Sequence, residues 1–215
     1  MTGPAQLRWR PYGEFGALIE LDSLEEVHRM HQAVRSSRFL GAQIIEAVPG
    51  ATTLVVIGRA QDAAVLVRMI ESLHGESLPE VSMRTHTIPV RYEGPDLADV
   101  ATMAGLRVAE VVDRHAAPLY TVAFLGFSRS FPYLAGLDPA LHVPRRATPR
   151  TSVPKGSVGI GAAFTGIYPA SSPGGWQLLG RTDHEFFDPA IDPPSVLAVG
   201  DRVRFLPIVL PAVAG

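Results

Sequence analysis

Apolar and polar residues in the first ninety positions repeat with two different periods. Leu7 and Trp9 alternate with Arg8 and Arg10, which predicts a strand over 7–12, and Ala17–Leu21 predicts a better one. Ser23 and Glu26 stand at capping-box spacing before a helix with an apolar stripe of Leu24, Val27, Met30 and Val34. Gln43–Val48 and Thr52–Ile57 read as strands on either side of the turn pair Pro49-Gly50. A second helix is expected from Asp62 to Leu73, with Leu66, Met69, Ile70 and Leu73 on one face and Gly75 as its cap. Met83–Tyr92 alternates again and places Ile88, Val90 and Tyr92 on one side. Pro89 belongs at that strand's edge or end, because it has no ladder donor. The order is β-α-β-β-α-β, the pattern of a split, ferredoxin-like α/β sandwich over residues 1–93.

Gly94-Pro95 reads as the boundary to a second module, 94–215. Asp96 stands where it would cap a short helix that Gly105 stops, and Val108–His115 continues as a further turn or two of helix. From Tyr120 the helical period disappears. Tyr120–Phe124, Ser157–Ile160, Gly166–Tyr168, Gly175–Leu179 and Arg202–Ile208 read as short strands at the spacing of a sandwich or closed barrel. The fold class is therefore α+β.

Composition narrows the function. Of 215 residues, 47% are hydrophobic and 19% charged, which is globular rather than disordered. A net charge of −2 argues against a general nucleic-acid binder, which needs a basic surface. With no cysteine, thiolate catalysis, disulfides and Cys-based zinc sites drop out. The N-terminus lacks the basic and apolar regions of a signal peptide, and no apolar run has membrane-spanning length. The expectation is a soluble, cytoplasmic protein with no membrane partner.

The candidate chemistry lies between Phe124 and Asp188. No G-x-x-x-x-G-K-[ST] loop is present, and Lys155 is the chain's one lysine. Gly156–Phe164 evokes a phosphate loop, but glycines admitting a tight turn or close strand packing explain it better. His28 and His31 lie at i, i+3 without an evident third ligand, so no metal site is expected. Asp183-His184-Glu185 reads as surface, since neighbouring strand residues point to opposite faces. Asp138 and His142 are the candidate acid–base pair. Arg145, Arg146, Arg150 and Arg181 are the most informative polar residues, because a guanidinium fork suits a carboxylate or phosphate. Tyr133, Tyr168 and Trp176 are pocket-wall candidates, with core the better reading of Trp176; Gln177 faces a cavity on a period-two strand.

Three blocks carry a resemblance: FLGFSRSFPYLAGLD, PRRATPRTSVPKGSVGIG and TGIYPASSPGGWQLLGRTD. In order and spacing they resemble the B subunit of prokaryotic 5-oxoprolinase, a family also labelled allophanate hydrolase subunit 1, Kip inhibitor, or carboxyltransferase subdomain C/D. The resemblance implies a cyclophilin-like β-barrel for the second module. It implies a hydrolase subunit acting with a larger C subunit and a barrel-type A subunit, which together use ATP with Mg²⁺, none of it covalently bound, to open 5-oxoproline to glutamate. Carried over position by position, the motif residues are Phe131, Pro132, Tyr133, Asp138, Pro149, Arg150, Thr165, Tyr168, Trp176, Gln177 and Arg181. The expected site is thus Asp138 and His142 for catalysis, with Tyr133, Arg145, Arg150, Thr165, Tyr168, Gln177 and Arg181 on the substrate. Two positions depart from the family pattern: Arg129-Ser130 replaces Pro-Gly, and Ala162-Ala163-Phe164 replaces an amide-bearing run. Two alternatives stand beside the hydrolase: a carboxyltransferase component of a urea carboxylase, and a non-catalytic inhibitor of a sensor histidine kinase.

Overall fold

The computed structural model describes residues 7–59, 63–73, 83–128, 130–186, 190 and 195–208. Gly75 and Arg129 lie outside the described residues. The chain divides into two compact units, 1–82 and 83–215.

In the first unit, β1 (Arg8–Tyr12), β2 (Gly16–Glu20), β3 (Ile44–Pro49) and β4 (Thr53–Gly58) form an antiparallel sheet in the order β1-β2-β4-β3. Helix α1 (Leu24–Ser36) starts as its sequence requires: Ser23 Oγ accepts from Glu26 N–H at 3.2 Å, and Glu26 Oε2 accepts from Asp22 N–H at 2.9 Å. Val27, Met30 and Val34 of its apolar stripe are buried. Helix α2 (Ala63–Glu71) buries Leu66, Val67 and Ile70. Met30, Val34, Leu66 and Ile70 meet Ile19, Ile44, Leu54 and Val56 in one core. Gly50 N–H donates to Thr53 O at 2.7 Å and closes the expected turn between β3 and β4.

The strand expected to complete that sandwich belongs elsewhere. β5 (Thr85–Val90) pairs parallel with β13 (Arg202–Pro207), from Thr85 opposite Arg202 to Val90 opposite Pro207. The first unit therefore has the order ββαββα, and Met83 onward enters the second unit. Alternation reveals a strand's two faces but not its neighbour, so a β5 with one apolar side fits either sheet. Ile88 and Val90 are buried in the second unit's core, as their period-two pattern requires.

The second unit continues through α3 (Leu97–Ala104), α4 (Val108–Ala116), β6 (Tyr120–Leu125), β7 (Pro132–Ala135), a short 3-10 turn (Pro139–Leu141), β8 (Arg150–Val153), β9 (Ser157–Gly161), β10 (Phe164–Ile167), β11 (Ser172–Gly174) and β12 (Gln177–Arg181) before β13. Seven strands order as β12-β9-β10-β7-β6-β13-β5, and β8 with β11 makes a separate ribbon. The long sheet is a nearly closed barrel. Arg91, one residue past β5, exchanges both backbone bonds with Arg181 of β12 at 2.8 Å, so the two ends of the sheet meet. Gly94 N–H and Asp96 N–H then donate to Leu179 O and Leu178 O at 3.0 and 3.1 Å.

Gly94-Pro95 is consequently a seam of the barrel. A Cβ built on Gly94 would lie 2.2 Å from Leu178 O, so the seam closes only over glycine. Punctuation that reads as a linker in sequence is here the mark of close backbone approach. The barrel interior is filled by Val122, Leu134, Val158, Ile160, Leu179 and Phe205 among others. A second, aromatic layer of Phe131, Tyr168 and Trp176 packs with Val153 and Leu178, flanked by Tyr133 and Phe164.

Candidate functional site

The site is built around Asp96, which lies at the barrel seam with its side chain only 2% exposed. Its carboxylate does not cap α3. Oδ2 instead accepts from Leu178 N–H at 2.7 Å, and Oδ1 accepts from Arg146 Nη1 at 2.9 Å and Arg150 Nη2 at 2.7 Å. Burial alone would push this carboxyl up. The Arg150 fork, the Leu178 N–H and the charge of Arg146 together hold it below the usual aspartate range. The arrangement leaves Arg146 Nε and Arg150 Nη1 buried with no partner among the described residues.

Why two arginines converge here follows from the loop 142–149. Arg146 N–H donates to Gly175 O at 2.8 Å, and Gln177 Nε2 donates to Pro144 O at 3.0 Å. These bonds fasten the loop to the entry of β12. Arg145 then projects over the Trp176 ring, its guanidinium carbon 5.8 Å from the centroid. Arg145 is exposed and has no ion pair among the described residues. A cleft of about 590 Å³ lies on this side, lined by Arg145, Arg146, Thr148, Gln177, Asp99 and Thr102 among others. A second cleft of about 240 Å³ is lined by Arg150, Arg181, Ser152, Ser157 and Glu93 together with the seam residues Gly94 and Gly180.

The structure thus separates residues that the sequence groups together. Arg145 and Gln177 share the larger cleft, while Arg150 and Arg181 share the smaller. Asp138 and His142 line neither one. Asp138 accepts from Ala140 N–H and from Arg114 Nη1, both at 2.9 Å, and the first of these bonds leads in holding its carboxyl below the usual range. His142 Nε2 donates to Leu137 O at 3.1 Å. Both side chains fasten the turn at Pro139–Leu141.

Thr165 and Tyr168 are fully enclosed. Thr165 Oγ1 donates to Gly159 O at 3.0 Å, so it must accept from His115 Nε2 at 2.8 Å. That fixes the His115 tautomer, and Tyr92 Oη donates to Nδ1 at 2.8 Å. Burial depresses the His115 imidazole to about 3, so it is neutral, and pushes the Tyr92 phenol well up. Tyr168 meets Phe131 edge-on at 5.0 Å in the aromatic layer, and Trp176 is core. Tyr133 is half-buried, stacked on Phe124 at 4.3 Å and edge-on to Trp176 at 5.5 Å; burial raises its phenol pKa, partly offset by the charge of Arg145. Phe164 stands against Tyr133 at 5.9 Å, so the aromatic replacement of an amide extends this layer. Gly156–Phe164 holds no phosphate loop: β9 is buried throughout, and a Cβ on Gly161 would sit 3.1 Å from the Trp176 ring. No group of His, Cys, Asp and Glu suited to a metal occurs among the described residues, and no described helix is long and apolar enough to cross a membrane.

Sequence reading misses Asp96 as the pivot, as well as the His115 chain. Asp96 stands 50 and 54 residues from its arginines, and its position before a helix suggests the commoner capping role. The available signal was the surplus of arginines in a Pro-stiffened loop, which demands a distant carboxylate.

Comparison with known proteins agrees with this architecture. Residues 7–197 match the family described as carboxyltransferase domain, subdomain C and D. The chain is 48% identical over 209 residues to the 5-oxoprolinase B subunit of Escherichia coli O157:H7, covering 91% of this chain and 93% of that protein. It is 41% identical over 203 residues to the Haemophilus influenzae protein of the same name, covering 91% and 95%. Among solved structures, TTHA0988 superposes with a TM-score of 0.77 at 35% identity; the match covers 91% of this chain but only 40% of that one. The chain belongs to the carboxyltransferase subdomain C and D family, the family of the 5-oxoprolinase B subunits.

Proposed function

We propose that this chain is the B-type subunit of an ATP-dependent 5-oxoprolinase, acting with C-type and A-type partner subunits. The complex converts 5-oxo-L-proline, ATP and water to L-glutamate, ADP and phosphate. The observation that carries this reading is identity of 48% and 41% across nearly the whole length of two proteins named as that subunit. A lactam carbonyl is a poor electrophile; phosphoryl transfer from ATP to its oxygen activates the carbon, water adds there, the ring C–N bond breaks with a proton passing to nitrogen, and a second water releases phosphate from the resulting γ-glutamyl phosphate. Every species on that route is an anion, and the larger cleft offers what an anion needs. Arg145 is exposed with no ion pair among the described residues, Arg146 stands beside it, and Gln177 is anchored at its base.

In this reading Arg145 and Arg146 hold the substrate carboxylate or a phosphoryl oxygen. Arg150 and Arg181 line the smaller cleft and stand apart from these contacts. Thr165 and Tyr168 shape the barrel beneath. Asp99 is the carboxylate lining the larger cleft, so this chain supplies anion contacts and the partners supply the Mg²⁺ ligands. The test is co-expression with the C- and A-type subunits and an assay of 5-oxoproline-dependent ADP release. The chain alone is expected to be inert. An assembled complex that hydrolyses ATP without any response to 5-oxoproline would sink the reading. The family's description favours one second reading, a carboxyltransferase component, which predicts instead carboxyl transfer dependent on a biotin carrier.

A further inference from the structure

The smaller cleft carries chemistry of its own, and we propose that it is a separate binding site for a compact tetrahedral oxyanion, with inorganic phosphate as the simplest ligand. This goes beyond the hydrolase reading and does not depend on it, because it concerns what the isolated chain binds rather than what a complex turns over.

Charge points there first. Asp96 brings one negative charge to two guanidiniums, Arg146 and Arg150, so one positive charge is left over at the seam. Arg181 lines the same cleft and has no ion pair among the described residues. The nearby carboxylates are already engaged. Glu93, also in the lining, is 3.4 Å from Arg91 Nε, and Asp183, within electrostatic reach of Arg181, accepts both Nη groups of Arg91 at 2.8 and 3.1 Å. Arg91, Arg146, Arg150 and Arg181 thus face Glu93, Asp96 and Asp183, so one positive charge is left over around this concavity, and a concave low-dielectric wall strengthens its pull on an anion.

Hydrogen-bonding capacity points the same way. Arg150 uses Nη2 on Asp96, while its Nη1 is enclosed and unpaired. A buried donor without an acceptor is unfavourable, so a turn of this guanidinium toward an anion gains a bond where none exists. Arg181 adds a second fork, and Ser152 and Ser157 add hydroxyls. Two forks and the Ser157 hydroxyl in one lining, with Ser152 Oγ already bonded to Ser171 Oγ at 3.0 Å, offer more donors than the two oxygens of a carboxylate can use and suit the three or four of a phosphate. Its size suits a compact ligand: about 240 Å³ lies below the roughly 300–1,000 Å³ of pockets for drug-sized ligands and holds an inorganic oxyanion with its water.

The experiment is calorimetric titration of the purified full chain with inorganic phosphate at low ionic strength, about 0.01 M, where screening is weak. Saturable one-to-one binding is expected. Arg181→Met should weaken it by at least about tenfold, because a charge-assisted fork is removed, while Arg145→Met, in the larger cleft, should leave it intact. The Arg181 side chain is exposed and its backbone bonds to Arg91 survive substitution; Arg181→Gln gives the same reading should the Met variant fold poorly. Acetate is the discriminating competitor. Absence of saturable phosphate binding overturns the proposal, as does acetate binding as tightly as phosphate, or binding that survives loss of Arg181 but vanishes with Arg145. Failure of the hydrolase reading would show as an unresponsive complex with the phosphate titration unchanged, so the two ideas fall separately.

Discussion

The two units place their charges differently. In the first, ion pairs lie on the surface of the sheet: Arg8 with Asp22, and Arg10 with Glu20 at 3.9 Å, with side chains 48–78% exposed. In the second, Asp96 and Asp201 are nearly inaccessible and gather partners from far along the chain, Arg146 and Arg150 in one case, Arg84 at 3.6 Å and the His86 ring at 3.0 Å in the other. Exposed pairs are screened and dispensable, whereas an enclosed carboxylate holds its surroundings to one arrangement or destabilises them. The first unit is therefore held by apolar packing with ordinary surface charge. The second is held partly by electrostatics, and that is where clefts with surplus positive charge arise.

The largest test of this contrast removes the enclosed charge. Asp96→Ala leaves two clustered guanidiniums without their carboxylate and should lower stability by about 3–5 kcal/mol, the range for breaking a buried pair, read as a loss of thermal midpoint. A small loss would mean the seam tolerates bare arginines and the contrast is false. Acid comes next, and there the units converge. His115 in the second unit is neutral with its imidazole depressed to about 3 by burial. His31 in the first is lowered to about 4, by burial and then by the charges of Arg35 and His28. Because the unfolded chain takes up these protons near pH 6.5 and the fold does not, their contribution is complete above about 6.5 and is lost as pH falls toward 3–4, by roughly a few kcal/mol in total. His115→Gln, which keeps a donor and an acceptor, should flatten that slope between pH 6 and 4; an unchanged slope would remove His115 from the account.

Smaller effects separate function from framework. Arg145→Met should reduce turnover of the assembled complex by about tenfold, as expected for one lost charged hydrogen bond, with the melting curve unmoved because Arg145 has no ion pair among the described residues. If both fall together, Arg145 is part of the framework. Least of all, Arg8→Ala in the first unit should change stability by less than about 1 kcal/mol; a loss comparable to Asp96→Ala would erase the distinction between the units.

Much of the fold could be read from local signals. The Ser23–Glu26 cap, the Pro49-Gly50 turn, and the strands beginning at Tyr120, Ser157 and Arg202 all rest on periodicity or turn chemistry within a few residues. Strands β7, β8 and β11 could not be read this way, being three or four residues long and interrupted by Pro132, Ser152 or Pro173. Nor could the fate of β5, because a partner more than a hundred residues away leaves no local trace. The site shows the same division. Arg145, Arg150, Arg181 and Gln177 were visible as residue types suited to anions, and all four line a cleft. Their separation into two clefts, and the role of Asp96 between them, depend on backbone bonds across the seam that no short window contains.

The pairing of β5 with β13 has a consequence for synthesis. The first strand of the second unit emerges from the ribosome more than a hundred residues before its parallel neighbour, and it holds Ile88 and Val90 ready for a core that does not yet exist. The seam at Arg91 cannot substitute, since Arg181 also arrives late. Until β13 is made, this polypeptide carries an open apolar edge of the kind that seeks other chains. The first unit, whose strands all lie within its first sixty residues, has no such delay. Translation thus yields one half early and the other only once β13 has been made, and the window between is when a chaperone has most to do.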